Sequence, residues 1–267
     1  MNQGLVYELK SVSLTLKDTR VLEDLNLRVN WQERVAIIGP SGAGKSSLLR
    51  LLNGALKPSD GQLKILGQSV QGLSRRQLRL IQRQIGTIYQ QFNLVNDLRV
   101  IHNVNAGNLG RWPVWKALWS LLYPLNIDEA RRALEQVGIA EKLFIPTAQL
   151  SGGQQQRVAI ARVLIQNPLV VLADEPVSSL DPRLSQDMIE LLLSLLGQQP
   201  RTVITSLHDV ALAKHYYDRI VGLRSGRILF DLPAIAVTTE KLAELYDQDS
   251  GITHQSLAAR SLPHPHG

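Results

Sequence analysis

The chain has 267 residues, 44% of them hydrophobic, a formal net charge of +6 and an isoelectric point near 9.7. That length supports one large domain with a subdomain, and the lack of cysteine excludes disulfides and thiolate metal sites. No apolar run reaches the ~18 residues needed to cross a bilayer; the nearest, residues 112–125, is interrupted by Lys116 and Pro124. The absence of cysteine is compatible with a reducing cytoplasm, and residues 1–10 lack the apolar core of a secretory signal. The basic balance admits a nucleic-acid or membrane-surface partner. Its cations are spread out, however, except for Arg75, Arg76, Arg79 and Arg83, which read as a solvated helix face.

In chain order, residues 5–9, 12–16, 21–22 and 25–29 alternate apolar and polar side chains, which predicts an antiparallel sheet with a turn at Lys17-Asp18-Thr19. The apolar run Val35-Ala36-Ile37-Ile38 predicts a buried strand, and residues 47–52 a helix. Lys57-Pro58-Ser59-Asp60-Gly61 is a turn before a return strand at 63–66. Ser74 caps a helix reaching about Gln84, and residues 86–92 read as a short buried strand. From 93 to about 166 the β pattern gives way to helical periodicity, clearest over 128–137 and stopped by Gly138. Residues 169–173 return to a buried strand. Asp181-Pro182 opens a helix ending near Gly197, with aspartate as cap and proline in the first turn. A strand at 202–205, a helix from Asp209, a hairpin at Ser225-Gly226 and a helix over 238–246 follow. Residues 248–267 have the composition of a disordered tail, with His254, His264 and His266 solvated. Strands alternating with helices predict an α/β fold with a parallel core, to which the entry strands and the helical insert are additions.

The loop Gly39-Pro40-Ser41-Gly42-Ala43-Gly44-Lys45-Ser46-Ser47 lies between a predicted strand and a predicted helix. Glycines free the backbone to turn successive N–H groups inward, and the helix N-terminus adds positive charge, so the stretch reads as a phosphate-binding loop. Lys45 reaches the β- and γ-phosphates and the Ser46 hydroxyl ligates Mg²⁺ in such a loop. Asp174 and Glu175 stand at the carboxyl end of the 169–173 strand, where α/β sheets bind ligands. Asp174 belongs near the Mg²⁺ shell, and Glu175 is placed to be the general base that polarises the attacking water.

Leu150-Ser151-Gly152-Gly153-Gln154-Gln155-Gln156-Arg157 carries the family resemblance: between a phosphate loop and an Asp-Glu strand, it resembles the signature of the ATP-binding cassette (ABC) transporter ATPases. Ser151 and the glycines precede a helix over 154–166, leaving free N–H groups as a second phosphate site. The resemblance, which covers residues 5–247, implies a P-loop NTPase core with a RecA-like parallel sheet (1–92 and 167–247), an antiparallel β subdomain and a helical signature subdomain (93–166). It implies a head-to-tail homodimer in which Ser151, Gly152, Gly153 and Gln154 serve the ATP held by the other copy's Lys45 loop. It also implies that Gln90 senses Mg²⁺ and the attacking water, that Ser179-Leu180-Asp181 crosses the dimer interface, and that His208 contacts the γ-phosphate. Implied partners are membrane permease subunits and an extracytoplasmic solute-binding protein, with the chain at the cytoplasmic face of the inner membrane and no nucleic-acid partner.

Within the family, Gly39-Pro40-Ser41-Gly42-Ala43-Gly44, Gln91-Phe92-Asn93-Leu94-Val95, Gly107-Asn108-Leu109-Gly110-Arg111, Ser206-Leu207-His208-Asp209-Val210 and Leu242-Ala243-Glu244-Leu245-Tyr246 together look like the ATPase subunit of phosphonate importers. Importers of phosphite, phosphate or methionine share much of this wording. A soluble ABC protein of translation or repair would usually carry paired cassettes or a coiled-coil insert, neither of which is present. The chain departs from the family at Leu16, where an aromatic residue usually stacks on adenine, leaving Tyr7 as a weak substitute. It departs again at Trp31-Gln32-Glu33, where a glycine commonly precedes the glutamate, and at Ser47, where threonine is commoner. Trp115 and Trp119, four apart, share a helix face that either packs the helical subdomain or helps to receive a permease helix.

Overall fold

The computed structural model describes residues 4–178 and 181–246, and for Leu121 and Leu122 the backbone alone. Strands β1 (Leu5–Leu16) and β2 (Thr19–Asn30) pair antiparallel through a turn whose Lys17 and Asp18 both have positive φ, 45° and 67°. The alternation predicts each of these strands as separate pieces, but each is continuous. The register shifts between Leu9 and Val12, and Ser11 and Asp24 stand in the left-handed region, so bulges interrupt the alternation without breaking the strands. Strand β4 (Asp60–Ile65; β3 is given below) pairs with β1, and β5 (Gln68–Ser69) completes a sheet of order β2-β1-β4-β5.

The second sheet contains β3 (Arg34–Ile38), β6 (Ile85–Ile88), β7 (Val170–Asp174), β8 (Thr202–Leu207), β9 (Arg219–Arg224) and β10 (Arg227–Pro233), in the order β10-β9-β3-β8-β7-β6. All its pairings are parallel except that of β10 with β9. Parallel strands require long crossovers, and buried faces on both sides explain their unbroken apolar runs. The period of two divides each run between two cores. Val35 and Ile37 of β3, with Val170 and Leu172 of β7, join the antiparallel sheet and helix α1 (Lys45–Leu52). Ala36, Ile38, Val171 and Ala173 face the other way, against the helices of the opposite layer.

Helix α2 (Arg75–Gln82) starts as predicted at Ser74, in a capping box with Gln77, and its arginines are exposed. Between β6 and β7 the described residues form helices and no strand: α3 (Val100–Asn105), α4 (Val114–Leu122), α5 (Ile127–Gln136) and α6 (Gly152–Gln166). Helix α7 (Pro182–Gly197) is capped by Asp181, whose Oδ1 accepts the N–H groups of Arg183 and Leu184 at 3.1 and 3.0 Å. Helices α8 (Val210–Tyr216) and α9 (Thr239–Tyr246) follow. No helix among the described residues is long and apolar enough to cross a membrane. The tail expected over 248–267 and the loop residue Ser179 lie outside the described residues.

Because β3, β7 and β8 run parallel, their carboxyl ends lie along one sheet edge, with Ile38 opposite Leu207 and Asp174 opposite Ser206. Entry into β3 is less relaxed. Gln32 has φ 66°, a conformation suited to glycine, while its N–H donates to Thr202 Oγ1 at 2.9 Å. Gln32→Gly keeps that backbone bond and removes the side-chain penalty, so it raises the unfolding free energy by roughly 0.5–1 kcal/mol. Urea unfolding reads this as a higher midpoint at unchanged slope; a lower midpoint shows that the glutamine side chain contributes more than the strain it brings.

Candidate active site

The loop after β3 folds as its glycines require. Gly39 has φ 154°, and a Cβ there would lie 1.9 Å from the Leu223 carbonyl oxygen. Gly44 has φ 102°, and its Cβ would meet Leu22 Cδ2 at 2.7 Å and Val21 O at 3.2 Å. The loop is therefore pressed against β9 on one side and β2 on the other, and only glycine permits both approaches. Helix α1 begins at Lys45 with no side-chain cap and no acid in its first turn, so its N-terminal N–H groups keep their positive field. Lys45 is buried and folds back, its Nζ donating to Gly39 O at 2.9 Å and Pro40 O at 3.2 Å.

Two carboxylates converge on this loop. Asp174 Oδ1 accepts hydrogen bonds from Ser46 Oγ at 3.1 Å and Ser206 Oγ at 2.7 Å. Glu175 Oε1 lies 2.6 Å from His208 Nε2 and 3.6 Å from Lys45 Nζ, and its Oε2 accepts from Gln90 Nε2 at 3.2 Å. Burial pushes the Lys45 ammonium below its ordinary pKa, and the charges of Glu175 and Asp174 pull it back. Gln90 is delivered by β6, whose last residue Ile88 pairs with Ala173, and His208 follows β8 directly. The turn carrying Gln90 is tied to the helical layer, since Arg162 of α6 donates to Phe92 O at 2.8 Å and Asn93 O at 2.9 Å. A cavity of about 200 Å³ opens beside Glu175 and His208, lined also by Ser178 and Asp209.

Ser206 is a site residue that the sequence alone does not single out. Its buried hydroxyl donates to Asp174 and accepts the Glu175 N–H at 2.9 Å. Glu175 has φ 46°, so its backbone is in the left-handed region, and Ser206 fixes that kink while aiming the Asp174 carboxylate. Its strand, Thr202–Leu207, also carries Thr202 and Thr205, so no local signal separates Ser206 from its neighbours.

Ser151, Gly152, Gly153 and Gln154 lie apart from this cluster, and no described hydrogen bond or ion pair joins them to Lys45, Asp174 or Glu175. Helix α6 starts at Gly152, two residues earlier than predicted. Ser151 and Gln154 form a capping box: Gln154 Oε1 accepts the Ser151 N–H at 3.0 Å, and Ser151 Oγ accepts the Gln154 N–H at 3.3 Å. The cap thus uses the Gln154 amide and leaves the N–H groups of Gly152 and Gly153 open. A Cβ at either glycine would meet nothing within 4 Å, so this helix start faces outward.

Further expectations need correction. Tyr7 is fully buried between the sheets, and burial pushes its phenol well above the ordinary range, so it cannot stack on a base. Leu16 ends β1 half-buried against the same core. Trp115 and Trp119 do not pack the helical core, because both side chains are exposed.

A glycine loop and an Asp-Glu strand end on one edge of a parallel sheet are the marks of a P-loop ATPase. Residues 22–178 match the family model described as ABC transporter, and the chain belongs to that family of ATPases. It is 45% identical over 238 residues to the phosphonates import ATP-binding protein PhnC of Pseudomonas putida, covering 89% of this chain and 88% of the relative. It is 48% identical to the protein of that name from Pseudomonas fluorescens, covering 84% and 85%. Among solved structures, it resembles cbiO1 of Clostridium perfringens, part of the ABC transporter complex cbiONQ, with TM-score 0.74, 27% identity and coverage of 90% and 93%. A dimeric cassette, MJ0796, in a post-hydrolysis state bound to ADP and Pi gives TM-score 0.69 at 31% identity, covering 85% and 98%.

Removing the Ser206 hydroxyl leaves Asp174 with one fewer donor and the Glu175 N–H without its acceptor. Ser206→Ala is expected to lower kcat for ATP hydrolysis about tenfold, the equivalent of roughly 1.4 kcal/mol, with KM for ATP changed far less. Ser206→Thr, which keeps the hydroxyl, restores most of the rate. Equal loss in both variants would assign the effect to packing rather than to the hydrogen bonds.

Proposed function

We propose that the chain is the ATP-hydrolysing subunit of an importer whose cargo is a phosphonate, working as a head-to-tail pair of copies. The observation that carries the catalytic reading is the convergence of Lys45, Gln90 and His208 on one carboxylate, that of Glu175. ATP laid along residues 39–47 brings its β- and γ-phosphates to Lys45 and to the open N–H groups of α1. The γ-phosphate then takes over the Lys45 ammonium, leaving Glu175 to accept the proton of a water attacking the γ-phosphorus. Gln90 and His208 hold that carboxylate in place and orient the water. Ser46 Oγ, the Asp174 carboxylate and the Gln90 amide oxygen form an all-oxygen donor set, which suits a hard cation. These residues would hold Mg²⁺, which when bound neutralises charge on the β- and γ-phosphates.

The outward-facing start of α6 is the second half of the site. Open N–H groups at Gly152 and Gly153 have no phosphate partner within their own copy, and they fit the γ-phosphate held by the other copy. Asp181, exposed at the start of α7, belongs on this reading to the interface of the pair. Residues 93–166 act as the subdomain that carries this signature toward the partner. The Arg162 bonds to Phe92 and Asn93 pass motion of α6 to Gln90 and onward to the permease. The phosphonate assignment rests on the names of relatives such as those of both pseudomonads. Permease subunits, an extracytoplasmic solute-binding protein and a position at the cytoplasmic face of the inner membrane complete the reading.

Glu175→Gln is expected to bind ATP, lose hydrolysis by at least about 100-fold, and run as a dimer on size exclusion at saturating ATP without Mg²⁺. A variant that stays monomeric under those conditions defeats the paired mechanism, and one that turns over at the wild-type rate defeats the assignment of the base. Cells lacking the chain should fail to grow on methylphosphonate as sole phosphorus source and still grow on orthophosphate. Loss of growth on orthophosphate instead makes phosphate the cargo.

A further inference from the structure

Helix α4 presents an apolar ridge that no other described residue covers. Val114, Trp115, Leu118 and Trp119 are 77%, 71%, 61% and 53% exposed, and Tyr123, stacked on Trp119 at 4.9 Å, is 53% exposed. Single exposed apolar residues are ordinary, but four on one short helix, with Tyr123 at its C-cap, mark a contact surface. The helix is anchored by its other side, where the carbonyl of buried Ser120 accepts from His102 Nδ1 at 2.9 Å. Its nine residues, with no acid among them, are too few to cross a bilayer, so any lipid contact is made lying in the plane of the surface.

The surroundings of the ridge are basic. Lys116 Nζ sits 4.8 Å above the Trp112 ring. Arg79, Arg83 and Arg111 line, together with Trp112 and Val114, a cavity of about 440 Å³ that contains no acidic side chain. None of these four cations forms an ion pair among the described residues; Arg111 bonds the Asn108 and Ile165 oxygens and meets the carboxylate of Glu129 only through Asn108, so Arg79, Arg83 and Lys116 carry the uncompensated charge. Tryptophan and tyrosine beside uncompensated arginine and lysine suit the boundary between acyl chains and anionic headgroups.

We propose that this face binds an anionic membrane surface directly, with Trp115, Leu118 and Trp119 entering the headgroup–acyl boundary while Arg79, Arg83, Arg111 and Lys116 meet lipid phosphates. Charge complementarity selects lipid over a permease loop. Cytoplasmic loops of membrane proteins carry an excess of lysine and arginine, which repel this edge, whereas the leaflet beside them is negative. The proposal goes beyond the importer reading, since it requires neither nucleotide nor permease.

The test is flotation of the full-length chain with phosphatidylcholine vesicles, with and without phosphatidylglycerol. The chain is expected to float only with the anionic vesicles and to be released by salt. Three of the chain's four tryptophans lie in residues 112–119, so bromine-labelled lipid should quench much of the emission. The double variant Trp115→Glu/Trp119→Glu should bind these vesicles at least about tenfold more weakly while ATP turnover, measured in the same samples, is unchanged. Should that variant melt early, Val114→Ser/Leu118→Ser replaces it. No flotation of the wild-type chain, no quenching, or undiminished binding by the charged variant would overturn the proposal. So would binding that appears only once the permease is present in the vesicles, which would assign the ridge to protein. Lost turnover in the wild-type chain would count against the ATPase reading and leave the vesicle result standing.

Discussion

The carboxylate of Glu175 is the point on which the site depends. Lys45, Gln90 and His208 come from three different places in the sequence, after β3, β6 and β8, and each reaches this one group. They can do so because β3, β8, β7 and β6 are neighbours in a parallel sheet and all end at the same edge. Glu175 is held there by a left-handed backbone that Ser206 secures. The cost of that conformation, of order 1–3 kcal/mol, is offset by the surrounding sheet, as strained residues at reaction centres commonly are.

The two helix starts that the proposed function assigns to phosphate differ in a way that matches their proposed tasks. The start of α1 is crowded, with Gly39 and Gly44 pressed between β9 and β2, so its loop has one shape. The start of α6 is open and self-capped, with glycines that touch nothing. A rigid cradle suits tight holding of a triphosphate, and an open cap suits a surface that must meet and leave a second copy. Arg162, on the same helix α6, reaches the turn that carries Gln90, so both halves of the proposed machine are mechanically joined within one chain.

Much of the site was legible because its chemistry is local. A glycine loop between strand and helix, an Asp-Glu strand end and a Ser-Gly-Gly-Gln helix start are each written in a few adjacent residues, and the structure forms all three, with both helices starting two residues earlier than expected. What escaped was non-local. Ser206 acts on residues 31 and 32 positions away, and nothing around it in the chain announces that. Tyr7 reads as a possible surface aromatic on an alternating strand, yet the second sheet and α1 close over it. The tryptophans of α4 look like core by composition, yet α4 packs on α3 by its other side and leaves them outside.

The sequence by itself determined the elements, the phosphate loop and the order of the motifs, since backbone propensity, glycine freedom and hydrophobic period act over a few residues. Even the division of β3 and β7 between two cores follows from alternation along a single strand. Only the tertiary structure decided which strands lie side by side, and therefore that Lys45, Gln90, Glu175, Ser206 and His208 share one edge. Strand order is set by which buried faces and crossovers fit together over the whole chain, a global packing condition that no local window of residues contains.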